Sequence, residues 1–131
     1  MKLWGEIMNP IRINLTLGLA WLLLGMLLGE HMGRSGDHAQ MPTHAHIMLL
    51  GGVLSISWAV IYKVFDIPAG LLAWIQTGFH HVSAAVMITA LYMLYGHLAE
   101  EAALGPVLGI SAIGAVVSVL LVLVQTLRAR L

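Results

Sequence analysis

Four apolar runs, each of about twenty residues or more, dictate what this chain can become. A helix rises about 1.5 Å per residue, so such a run crosses a hydrocarbon core of ~30 Å. The runs fall at about residues 11–29, 43–65, 69–96 and 104–127 of a 131-residue chain. Backbone in lipid must satisfy its own hydrogen bonds, which leaves helices as the form they take. The expected fold class is all-α: a single membrane domain, an integral four-helix bundle in the lipid bilayer. Short polar pieces separate the runs: Glu30 to Met41, then Lys63 with Asp66-Ile67-Pro68, then His97 to Glu101. Lys2 and Arg12 beside the first run also suit a signal peptide, but the run's length favours a retained span.

Composition narrows the chemistry. With no cysteine, disulfides, thiolate sites, iron–sulfur clusters and covalent c-type haem are excluded. Six Lys and Arg balance six Asp and Glu, so no basic patch invites nucleic acid. No phosphate loop, nucleophile elbow or H-E-x-x-H pair is present. Any metal or haem must be held by nitrogen, oxygen or thioether.

The cations set an orientation. Lys2, Arg12, Lys63, Arg128 and Arg130 fall on one side of the expected bundle, and only Arg34 lies on the other, with Glu30, Asp37, Glu100 and Glu101. Both termini are expected in the cytoplasm of a bacterium's inner-membrane protein, with the histidine- and acid-rich connections outward.

Within this apolar frame stand two histidine pairs, His44-Ala45-His46 and His80-His81. Ionisable groups inside a span point to function by default, because lipid offers them no partner. Residues two apart on a helix diverge by about 200°, so His44 and His46 serve opposite sides of one helix. Adjacent His80 and His81 diverge by about 100°, which lets both reach one metal, or one ligate while the other packs. A ring of identical subunits accommodates such a set, with His46 of one copy and His44 of the next meeting at each interface. Depth counting gives a partial fit. His46 lies about 25 Å above Lys63 and His80 about 18 Å above Pro68, a mismatch that leaves open whether His80 and His81 sit below the metal and do other work.

The two motifs together resemble one module of the catalytic subunit of the haem–copper oxidase superfamily, which includes the nitric oxide reductases. That subunit has twelve spans in three groups of four, with an H-x-H pair on a second span and an adjacent histidine pair on a third. The resemblance implies a homotrimer. It implies b-type haem, with His44 an axial ligand at one interface. It gives His46 either the second axial position at the next interface or a place in a copper site with His80 and His81. Any enzymatic activity would then be that of an oxidoreductase, and a redox role calls for a partner protein, because the chain shows no electron entry site of its own. Two features of the family pattern are not matched. Leu50 stands where one branch carries a tyrosine linked to a copper ligand, and Glu30, Glu100 and Glu101 sit at helix ends rather than buried.

Other residues have blander readings. His31, His38 and His97 read as wetted end groups, and Met26, Met48, Met87 and Met93 as plastic packing. Trp21, Trp58 and Trp74 suit packing or interfacial anchoring. Gly25 and Gly29, and the stripe Ser111, Gly114 and Ser118, suit close helix contact. Gly51-Gly52 lets either a flat cofactor or a helix approach. Two function classes follow: a haem or haem–copper protein that moves electrons or handles a diatomic gas, and a copper-binding, sensing or trafficking protein without haem.

Overall fold

The structure, a computed structural model, describes residues 8–129. Lys2 and Arg130, two of the cations used for orientation, lie outside the described residues. Four helices follow one another up and down: α1 (Pro10–Ser35), α2 (Met41–Val64), α3 (Leu71–Tyr95) and α4 (Glu101–Arg128). All four are long and apolar enough to cross a membrane. Arg12, Lys63 and Arg128 lie at one end of the bundle, called here the cationic end, and the turn before α2 lies at the other.

Local chemistry fixes the helix ends. Asn9 caps α1 by accepting the Ile11 N–H at 2.9 Å, and Pro10 takes the first helical position, where its missing N–H costs nothing. The helix outlasts its apolar run because Glu30 and Arg34 pair one turn apart, and it stops at Gly36, whose φ of 70° closes the last turn onto the Met32 carbonyl. Pro42 opens α2 in the same way as Pro10 opens α1.

The packing is inverted relative to a soluble bundle. The leucines of α1 at positions 15, 17, 19, 23, 24 and 27 are exposed on its outer surface, while Asn14, Gly18 and Gly25 are buried. Lipid tails are as apolar as leucine, so helices in a membrane gain by close contact of small residues. A Cβ on Gly18 would lie 2.8 Å from Ile56 Cγ1, 3.0 Å from Ser55 Cβ and 3.1 Å from the Gly52 carbonyl oxygen. Gly51 and Gly52 return the contact from α2, receiving Trp21 and Leu22. Their notch is therefore occupied by side chains of α1, the Trp21 ring over Gly51 and Leu22 over Gly52. On α4, Gly114 receives Ser83 of α3, with Ser111 and Ser118 buried along the same seam.

One irregularity interrupts α2. Ile47–Val53 is π-helical, with ordinary α-helix before it (Met41–His46) and after it (Leu54–Val64). A π turn closes its hydrogen bonds i→i+5 rather than i→i+4, so residues on its two sides leave ordinary helical register. The histidines lie immediately before it.

Candidate functional site

Each of the two outer imidazoles is anchored through one nitrogen. His44 Nδ1 lies 2.9 Å from the Gly25 carbonyl oxygen on α1, and His46 Nδ1 lies 2.7 Å from the Pro42 carbonyl one turn earlier on α2. A carbonyl oxygen only accepts, so in both rings Nδ1 carries the proton, and in the neutral ring Nε2 is the nitrogen left with a lone pair. Both residues are half-buried. A backbone carbonyl holding Nδ1–H while Nε2 stays free is the arrangement that orients a histidine for a metal. His44 turns toward α1 and His46 stays over its own helix, in keeping with their divergence along the sequence.

Gly29 makes the His44 position specific. A Cβ there would meet His44 Cε1 at 2.8 Å and Nδ1 at 3.4 Å. Gly29→Ala is expected to displace the ring from the Gly25 carbonyl; were His44 a metal or haem ligand, losing such an orienting bond would weaken retention by about 10- to 100-fold. Titration of the purified variant with haem or copper checks this.

The inner pair is built differently. His80 is fully buried and lies 2.8 Å through Nε2 from Ser55 Oγ, whose hydroxyl donates to the Gly51 carbonyl at 2.6 Å. That hydroxyl proton is committed, so His80 Nε2–H is the donor to Ser55. His81 Nε2–H donates to Asn14 Oδ1 at 3.0 Å, since the Asn14 amide nitrogen already donates to Pro10 O and Thr77 Oγ1. Both Nδ1 atoms are buried and have no hydrogen-bond partner among the described residues. The two rings stand edge-on, with centroids 5.0 Å apart.

From His81 a chain of polar side chains runs to the cationic end through all four helices. Asn14 of α1 donates to Thr77, and Thr77 donates to Gln76 Oε1 at 3.4 Å. Tyr62 of α2 donates to the same oxygen at 3.0 Å and accepts from Gln125 of α4 at 3.0 Å. Intramembrane polar groups find partners across helices in this way. Two donors remain orphaned here, Trp58 Nε1 and Gln76 Nε2, both buried and without a partner among the described residues. Each such group costs about 1–3 kcal/mol if left dry.

The two pairs occupy different levels. His80 bonds to Ser55, which lies nine residues beyond His46 along α2, about 13 Å at helical rise. The structure therefore does not bring His46 together with His80 and His81. A neighbouring copy does not close the gap either, because rotation about the membrane normal preserves depth. No cluster of three or more His, Cys, Asp or Glu side chains able to hold a metal occurs among the described residues.

The remaining sequence candidates are placed as follows. Met48 fills the notch at Gly25, Trp21 covers Gly51, and buried Trp58 meets the His80 ring edge-on at 6.0 Å between centroids. Trp74 is exposed on the outer surface of α3, and His31, His38 and His97 are exposed near the end opposite the cations. Asn14, Tyr62 and Gln125 were not singled out by the sequence, since they belong to three different runs and no spacing along the chain shows that they meet. No protein-family model, curated protein or solved structure matches this chain.

Proposed function

We propose that this chain is one module of a cofactor-holding membrane protein of redox type, assembled as a homotrimer that resembles the haem–copper oxidase subunit. His44 of one copy and His46 of the next would hold a b-type haem at each interface. Paired imidazole ligands suit that group to electron transfer more than to gas binding. The observation that carries the reading is the shared state of His44 and His46. Each gives its Nδ1 proton to a backbone carbonyl and keeps a free Nε2 in a half-buried position within a membrane-length helix. The donor set fits the group, since imidazole nitrogen is an axial ligand of b-type haem. The chain's own part is to orient the rings through Gly25 and Pro42 and to keep them out of water. A bacterial inner membrane, cytoplasmic termini and a separate redox partner protein complete the proposal.

The second reading is a copper-binding, sensing or trafficking protein without haem. It is favoured by the unpartnered Nδ1 atoms of adjacent His80 and His81, because imidazole suits copper. An optical spectrum with metal analysis on protein purified from its native host separates the two. A Soret band with about one haem per interface supports the first reading; stoichiometric copper without that band replaces it with the second. Native mass spectrometry tests the trimer, and a monomer holding the full cofactor complement would end the shared-interface arrangement.

A further inference from the structure

Two polar rungs join α2 to α3. The outer rung is Ser55 with His80, and the rung nearer the cationic end is Tyr62 with Gln76. Trp58 lies between Ser55 and Tyr62 on α2, and its ring stands against His80. Gln76 and His80 lie one turn apart on α3, about 6 Å in rise. Three orphaned buried atoms thus belong to neighbouring side chains around one interval: Trp58 Nε1, Gln76 Nε2 and His80 Nδ1. Two are donors and one is an acceptor.

That composition selects the ligand. A cation would meet two N–H donors, an anion would face the His80 lone pair in a low-dielectric interior, and an apolar gas would satisfy none of the three. A small neutral molecule that both accepts and donates satisfies all of them. Water does so with the number of partners that internal waters normally have.

The two ends of the bundle differ. A cavity of about 330 Å³ at the cationic end is lined by Ile67, Pro68, Leu72, Gln125 and Arg128, among others. Gln125 also holds the Tyr62 hydroxyl, which holds Gln76. Toward the other end lies an apolar cluster of Ile47, Ala84 and Ile88. We propose that the interval between the rungs is a hydrated site, in which water bound to Trp58, Gln76 and His80 exchanges with the cationic end past Tyr62 and Gln125. The inference is independent of what His44 and His46 carry.

The test is NMR of protein labelled with ¹⁵N in tryptophan and reconstituted in nanodiscs, with the Trp58 signal assigned by Trp58→Phe. The expected result is a cross-relaxation peak between water and the Trp58 indole N–H in the wild type. Exchange of that N–H with D₂O is expected to be about tenfold slower in Gln125→Leu, which blocks the route. The wild-type spectrum alone is decisive if the variant does not fold. A Trp58 indole with no water peak, exchanging as slowly as the most protected amides of α3, would overturn the site. Stoichiometric copper in the same sample, lost on His80→Gln, would overturn it as well, because the metal would then own the Nδ1 lone pair.

Discussion

On the proposed assembly, His44→Ala and His46→Ala are each expected to yield protein without haem, the Soret absorbance falling to baseline while the α-helical circular dichroism is retained. The effect is expected to be near complete because each interface would depend on one imidazole from each copy, so either substitution strips every site in the ring at once. The fold tolerates both changes, since neither ring is fully buried and each makes a single hydrogen bond to a carbonyl. His31→Ala and His38→Ala, at exposed positions, serve as controls and keep the band. His80→Ala keeps it too, because that residue sits about 13 Å further along the bundle. If His44→Ala and His46→Ala both purify with wild-type haem and metal content, these imidazoles are not ligands.

Gly18→Val carries the largest expected stability effect. The added methyls have nowhere to go: Ser55 Cβ and the Gly52 carbonyl already lie 3.0 and 3.1 Å from the position of a Cβ. Both belong to the opposing helix framework rather than to the flexible tip of a side chain. Overpacking of this kind costs about 1–3 kcal/mol, and a rigid contact belongs at the upper end. Displacing Ser55 also removes the acceptor of the buried His80 N–H. A chemical or thermal unfolding series in detergent checks this, with Leu19→Val on the exposed face as a control expected within about 0.5 kcal/mol of wild type. Equal stability of the two variants would mean that α1 and α2 do not approach closely at Gly18.

The four spans were legible because hydropathy and length together leave a membrane helix little choice, and Pro10, Pro42 and Asp66-Ile67-Pro68 punctuate the chain where the helices begin or end. The glycines were legible as places of close approach. Which neighbour approached was not, since Gly51 and Gly52 admit a ring or a helix equally until Trp21 is seen in the space. The polar chain was hidden for a related reason. Asn14, Tyr62, Gln76 and Gln125 belong to four different helices, and nothing in a one-dimensional pattern says which rotations bring them together. The depth of His80 was read approximately: counting residues exposed a mismatch with His46, but only the bond to Ser55 fixed its size. Glu30 and Arg34 were read as connection because they are charged, yet pairing one turn apart carried the helix through them.

The widened turn of α2 has a consequence for how such a chain could be altered. It acts as a phase shifter in a rod whose two halves answer to different neighbours. Winding the same residues as ordinary α-helix, with no change of length, would swing the segment carrying His44 and His46 by roughly 100° relative to Ser55 and Tyr62, whereas deleting one residue as the turn narrowed would leave it nearly where it is. The direction in which the outer imidazoles aim is thus a setting stored in the winding of the backbone, above a hinge point that the Ser55 bond to Gly51 holds in place.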